Sequence, residues 1–231
     1  MNYHSVKSAV FINRPNRFLA HVLLEDKEEI VHVRNTGRCK EILYEGARVI
    51  LEKASNQERK TAYSLIGVYK GEILINIDSQ IPNAVIYQGI IEGGMKEFPD
   101  IVQLNREVVY GNSRFDLAFE RKDRKGFIEV KGVTLEEEGV ALFPDAPTQR
   151  GTKHVKEMIK AVEDGYEGYL IFLIQMKGID YFTPNKIRDP EFAHALALAK
   201  EKGVKLLAYD SIVQEDGIIL GDPVRIRLAA E

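Results

Sequence analysis

Asp116, Glu129 and Lys131 bring together the residue types with the clearest chemistry in this sequence. Two carboxylates are hard oxygen ligands for Mg²⁺ or Mn²⁺. A cation held there binds a phosphate, and a neighbouring lysine orients or activates the attacking water. The stretch Gly111–Leu135, GNSRFDLAFERKDRKGFIEVKGVTL, reads as the β-hairpin that would gather the three. Along Arg114–Arg121 the residues alternate, with Phe115, Leu117 and Phe119 on one face and Asp116, Ala118 and Glu120 on the other. Lys122–Gly126 is a polar turn, and the return strand Phe127–Val133 puts Phe127, Glu129, Lys131 and Val133 on one face. A two-residue turn centred on Asp123–Arg124 would set Asp116 opposite Lys131 and Ala118 opposite Glu129. Opposed residues share a face with side chains roughly 5 Å apart, and small Ala118 leaves the charged groups room. Glutamate and lysine two apart on a strand are equally the mark of a solvated edge pair.

The rest of the chain narrows the setting. At 231 residues and 45% apolar content it can bury one large core or two modest ones. No apolar run reaches the length of a membrane span, and MNYHSVKSAV has neither the hydrophobic core nor the cleavage site of a signal peptide. A single cysteine, Cys39, precludes an internal disulfide and fits a reducing cytoplasm. The net charge of −3 does not advertise a nucleic-acid partner. Its distribution does more: residues 1–83 hold 12 Lys+Arg against 10 Asp+Glu, and the remainder holds 20 against 25. A basic groove can coexist with an acidic total.

Residues 1–83 are strand-rich. SAVFINRPNRFLAHVLLE gives two extended pieces broken at Arg14-Pro15-Asn16, followed by EEIVHVRN, a turn at Thr36-Gly37, ARVILEKA, KTAYSLIGVYK and EILINID, with a tight turn at Lys70-Gly71. About five strands without a long helix suggest a small closed barrel, either OB-like or SH3-like. Arg14, Arg17, Arg38 and Lys60 punctuate it, and Phe18 and Tyr63 could stack on bases. The set suits a groove that tracks a phosphate backbone; singly, each is an ordinary solvated charge.

From residue 84 the pattern becomes mixed α/β. Helix-like Ala84–Glu92 precedes the hairpin, and Glu107 offers either a third carboxylate or an ion pair with Arg106 or Arg114. Beyond the hairpin a loop through Thr148 leads into a helix with its apolar stripe at Val155, Met158, Ile159 and Val162 and a C-cap at Gly165. Its first turns carry Gln149, Arg150, Lys153 and His154, and a basic helix N-terminus suits a phosphate. His154 reads as structural rather than as a general base. Tyr169–Gln175, a helix capped by Asp189-Pro190, and Val204–Tyr209 form a βαβ unit, so part of the sheet is parallel.

Asp on one strand and Glu-x-Lys on the next resembles the motif of the PD-(D/E)XK nucleases. Over nearly its whole length the sequence also resembles the sugar fermentation stimulation protein A family. The matching blocks are RPNRF (14–18), NTGR (35–38), RKTAY (59–63), DSQIPN (78–83), REVVYGNSRFD (106–116), EVKGVTL (129–135) and FPDAPTQRGTKH (143–154). Ser79 departs from the DTQ expected there but keeps the hydroxyl. The resemblance implies an α+β chain: an OB-like barrel over 1–83 that binds nucleic acid, then a PD-(D/E)XK nuclease-like domain over 84–231. It implies Mg²⁺ or Mn²⁺ held by Asp116, Glu129 and the Val130 carbonyl, with Lys131 acting on water and Gln149 and Arg150 beside the site. DNA is the expected partner, bound with little regard to sequence, with RNA left open and no membrane involved. Two functions follow. One is a cytoplasmic DNA-binding protein with a metal-dependent phosphodiesterase site. The other is a non-catalytic, DNA-binding regulator of sugar-utilisation genes that keeps the fold as scaffold.

Overall fold

The computed structural model describes residues 1–35, 37–56 and 58–228. Thr36, the first residue of one expected turn, lies outside them. The N-terminal strands are β1 (Val6–Asn13), β2 (Leu19–Leu24), β3 (Lys27–Val33), β4 (Arg48–Lys53), β5 (Tyr63–Lys70) and β6 (Ile73–Asn76). They form one sheet in the order β3-β2-β1-β4-β5-β6, and a parallel β3–β5 pairing at His32–Ser64 and Val33–Leu65 closes five of them into a barrel. Period-two alternation fills it: Ala20, Val22, Val31, Val49, Leu51, Leu65 and Val68 all point inward and are buried. Closure also removes the exposed edges of those strands. This is an OB barrel, as the resemblance implied; the strand count alone allowed an SH3-like barrel as well.

The second half adds α1 (Pro82–Ile91), β7 (Gln103–Tyr110), β8 (Ser113–Arg121), β9 (Arg124–Val133), β10 (Leu135–Glu137), β11 (Val140–Phe143) and α2 (Gln149–Glu163). It continues through β12 (Glu167–Ile174), β13 (Tyr181–Pro184), α3 (Pro190–Glu201), β14 (Lys205–Gln214), β15 (Gly217–Pro223) and β16 (Arg225–Ile226). Its main sheet runs β15-β14-β12-β9-β8-β7, with β9, β12 and β14 parallel. Central β12 is buried on both faces, as its unbroken apolar run requires. Leu170 and Phe172 pack with Val155 and Met158 of α2 and Phe192 and Leu196 of α3, while Tyr169 and Ile171 pack with Val85 and Ile86 of α1. Thr148 caps α2 by accepting from Gly151 N at 3.1 Å, and Asp189 caps α3 by accepting from Phe192 N at 2.9 Å. Each cap contributes about 1 kcal/mol. The small sheet β10-β11-β13-β16 was not expected from the sequence.

Two features of the hairpin correct the sequence reading. The turn sits at Lys122–Asp123, not Asp123–Arg124: Arg121 pairs with Arg124, Glu120 with Lys125, Ala118 with Phe127 and Leu117 with Ile128. Lys122 takes the left-handed conformation this turn needs (φ 42°), although it is not glycine. The second correction concerns Phe115. It lies 5.1 Å from Phe127, in the cluster under α2, whereas Leu117 and Phe119 pack with Ile128 and Val130 under α1. The alternation therefore breaks at Asp116. Both ladders are interrupted there: β8–β9 pairing stops at Leu117–Ile128, and β7–β8 pairing skips from Arg106–Leu117 to Val108–Phe115. The skipped residue, Glu107, has φ 55°, a strained conformation for a side chain of its type.

The barrel is joined to the α/β domain by a buried polar seam. Asn76 N donates to Gln175 O at 2.9 Å, and Gln175 Nε2 donates to Asn76 Oδ1 (2.9 Å) and Asp78 O (3.1 Å). Asn76 Nδ2 reaches the Tyr3 hydroxyl at 2.8 Å, and Arg34 of the barrel pairs with both Asp78 (3.0 Å) and Glu52 (2.7 Å). Gly132 makes close approach possible here, since a Cβ would sit 2.5 Å from Gln175 Oε1 and 2.8 Å from the Pro82 ring. The start of α1 is thereby drawn against β9.

Candidate functional site

The break in the ladders at Asp116 leaves its carboxylate free to make other bonds. Oδ2 accepts from Val130 N at 2.8 Å, replacing a ladder bond with a side-chain one. Oδ1 accepts from Asn83 Nδ2 at 2.7 Å, across from the first turn of α1. Burial, and then the negative charge of Glu129, hold the Asp116 pKa above the usual carboxylate value in spite of these two donors.

Glu129 lies on the α2 side of β9 and is 2% exposed. Its Oε1 accepts from Lys131 Nζ at 2.5 Å and from His154 Nδ1 on α2. A carboxylate with no proton can only accept, so His154 Nδ1 carries the hydrogen. Burial works against the charge, but His154 and Lys131 outweigh it and hold the Glu129 pKa below its usual value. Glu129 Oε2 is buried and has no hydrogen-bond partner among the described residues. Three of the four carboxylate oxygens thus have protein donors, and the fourth is orphaned.

A desolvated acceptor left without a donor is costly, as is the repulsion that Glu129 exerts on Asp116. A hard divalent cation relieves both, since it seeks carboxylate and carbonyl oxygen. An extended residue turns its N–H and C=O to the same side, so the Val130 carbonyl faces the gap that its N–H bridges to Asp116. No three His, Cys, Asp or Glu side chains among the described residues gather closely enough to hold an ion by themselves. The donor set that fits is two carboxylates and a carbonyl.

None of the other expected site residues bonds to either carboxylate. Glu107 is an exposed surface ion pair with Arg114 at 3.3 Å, the structural alternative of the two offered by sequence. Gln149 and Arg150 are exposed at the start of α2, and Lys153 donates to Asn112 O at 3.0 Å. Arg14 does not present its guanidinium to a ligand: it donates to the carbonyls of Asn35 (2.6 Å), Arg17 (2.7 Å), Gly37 (2.8 Å) and Arg38 (3.0 Å). This fastens the β1–β2 loop to the segment after β3. Arg17, Arg38 and Lys60 are exposed, with the Arg17 guanidinium 4.8 Å from the centre of the Phe18 ring. Phe18 is 46% exposed, while Tyr63 packs half-buried against the barrel core. Arg17 and Lys60 occupy the two loops, β1–β2 and β4–β5, that OB barrels turn toward oligonucleotides. Gly37, beside Arg38, abuts Asp145 in the segment entering α2, where a Cβ would sit 2.8 Å from Asp145 Oδ2. Sequence reasoning overlooked Asn83 and took His154 as structural rather than as a general base, without linking it to Glu129. Both lie at the ends of quoted blocks, but no local pattern shows that they meet Asp116 and Glu129.

Comparison with known proteins agrees with this architecture. Residues 12–77 match the model of the SfsA N-terminal OB domain, and residues 80–217 match that of the sugar fermentation stimulation protein RE domain. A sugar fermentation stimulation protein homolog of Alkaliphilus oremlandii is 54% identical, covering 98% of each chain. One from Desulfitobacterium hafniense is 53% identical over 99% of each. Among solved structures, Pyrococcus furiosus SfsA in complex with Ca²⁺ superposes with a TM-score of 0.90 at 28% identity, covering 98% of both chains.

Proposed function

The chain belongs to the sugar fermentation stimulation protein family, and we propose that it is a nucleic-acid-binding phosphodiesterase dependent on a divalent cation. The observation that carries this reading is the orphaned, buried Glu129 Oε2, on a carboxylate whose negative charge is felt by the bonded carboxylate of Asp116. The Ca²⁺ held by the Pyrococcus furiosus relative is of the same oxygen-seeking class as Mg²⁺ and Mn²⁺. Bound here, such an ion would polarise a phosphoryl oxygen and acidify a coordinated water. Asp116, Glu129 and the Val130 carbonyl would hold it. Lys131, now on Glu129 Oε1, would turn its ammonium to the water or to charge developing on the phosphate. Arg17, Arg38 and Lys60 would grip the backbone of DNA, the expected substrate, with little regard to sequence.

The non-catalytic regulator is the second reading, and one observation favours it: the Lys131 ammonium is already neutralised by Glu129. Labelled DNA and RNA, incubated with Mn²⁺ or with EDTA, decide between them. Cleavage that needs Mn²⁺ and disappears in Asp116→Ala supports the phosphodiesterase. Tight binding with every strand left intact under both conditions overturns it in favour of the regulator.

A further inference from the structure

His154 is held more firmly than Lys131, the other group that touches Glu129. It is 8% exposed and sits in the second turn of α2, a helix capped by Thr148 and fixed in the core by its neighbour Val155 and by Met158. Its Nδ1–H and the Lys131 ammonium converge on the same oxygen, Glu129 Oε1. The two donors differ in kind. Lys131 hangs on a flexible four-carbon stem, while the His154 ring moves only if α2 moves. With Oε1 anchored to a ring on a fixed helix, the Glu129 carboxylate has one orientation, and Oε2 stays buried and free of protein donors. Lys131 can then leave Glu129 without the carboxylate swinging after it.

We propose that His154 is a positioning residue of the cation site, holding Glu129 by Oε1 so that Oε2 is presented to the metal. The inference rests on the cation reading above. A histidine that merely fills the core makes the opposite demand of substitutions: ring volume would matter and a hydrogen-bond donor would not. Two variants separate the possibilities. His154→Asn keeps a side-chain N–H at the position of Nδ1, the atom that bonds Glu129, and loses the ring, whereas His154→Phe keeps a ring and loses the donor.

The experiment is calorimetric titration of the full chain with Mn²⁺ alone, with no nucleic acid present. Loss of such supporting contacts typically weakens metal binding by about 10–100-fold, and that loss is expected for His154→Phe, with His154→Asn staying near wild type. Circular dichroism melts establish that each variant is folded, and His154→Leu replaces the Phe variant if the larger ring is not accommodated. Wild-type affinity in folded donor-less variants overturns the proposal, as does equal weakening in the Asn and donor-less variants. Wild-type protein that takes up no Mn²⁺ overturns the cation reading itself and this proposal with it.

Discussion

Replacing Glu129 and Asp116 by their amides should separate two carboxylates that look alike in sequence. Glu129→Gln leaves the Lys131 ammonium, whose side chain is 15% exposed, without its anion. Breaking a buried ion pair from one side costs about 3–5 kcal/mol, and Lys131 can extend its stem toward solvent, which favours the lower end. At about 2–4 °C per kcal/mol for a chain of this size, the melting temperature should fall by about 6–12 °C. Asp116→Asn behaves differently. The Asp116 pKa is raised by burial and by Glu129, so without a cation the folded protein is more stable below that pKa than above it. The amide stays neutral at every pH and keeps that gain. It gives up one of two acceptors, for Asn83 or for Val130 N–H, a loss of about 1–3 kcal/mol. The two effects oppose each other, and the cation-free melting temperature should change by only a few degrees. Mn²⁺ at a hundred times its dissociation constant should then stabilise wild type by about 2.7 kcal/mol, roughly 5–11 °C, and should stabilise neither variant. Scanning fluorimetry at neutral pH, with Mn²⁺ or EDTA, reads all of this. An Asp116→Asn protein as damaged as Glu129→Gln in EDTA refutes the reasoning about repulsion. Full Mn²⁺ stabilisation of Glu129→Gln refutes the role of Oε2.

Four further substitutions have expected outcomes. Asn83→Ala removes the donor to Asp116 Oδ1 and should lower stability by about 1.5–3 kcal/mol, measured by urea unfolding; an unchanged midpoint would mean that water replaces the amide. Glu167 accepts from Arg121, Lys205, Arg124 and the Tyr169 hydroxyl, and although burial opposes its charge, these donors bring its pKa down to about 2. Its stabilisation is present above the ordinary carboxylate pKa and is lost as pH falls toward about 2. Glu167→Gln should therefore melt lower at neutral pH and show a flatter acid limb in a pH series, and an unchanged limb counts against the cluster. Arg14→Lys cannot serve four carbonyls in a planar fork and should loosen both loops, weakening DNA binding while leaving its salt slope intact. Arg38→Ala should lower that slope by about one; fluorescence anisotropy across a salt series distinguishes them, and a reduced slope in Arg14→Lys would put Arg14 on a phosphate.

The barrel and the parallel sheet were legible because burial leaves a period in the sequence: Ala20, Val22 and Leu24 alternate inward along β2, and Asp189-Pro190 marks a helix start with two independent signals. The hairpin was legible in its faces more than in its partners. Shifting a two-residue turn by one position moves every partner by two, which preserves the side of the sheet but not the neighbour. Patterning therefore placed Glu129 opposite Ala118, whereas Phe127 occupies that position. The turn chemistry misled because Lys122 adopts a conformation usually reserved for glycine or asparagine. The interruption at Asp116 left no trace in the alternation of SRFDLAFER, since Phe115 is apolar whichever side it takes. Asn83 and His154 reach the carboxylates from α1 and α2, and such meetings are a property of the tertiary fold alone. Arg14 shows the reverse error: a basic residue between basic neighbours looks like surface charge until its four carbonyl acceptors are seen.

The seam of Asn76, Asp78 and Gln175 carries a consequence for length. These side chains and backbone groups bond across the junction, so a swing of the barrel on the α/β domain would strand buried donors and acceptors. On the proposed reading, the loops that grip a strand and the carboxylates that act on it are two marks on one ruler. A protein that reached for its substrate with a mobile arm would cut at scattered distances from the grip. Here the interval between the held phosphates and the attacked one is set by the fold, and a strand fed from its end would be measured as well as cut.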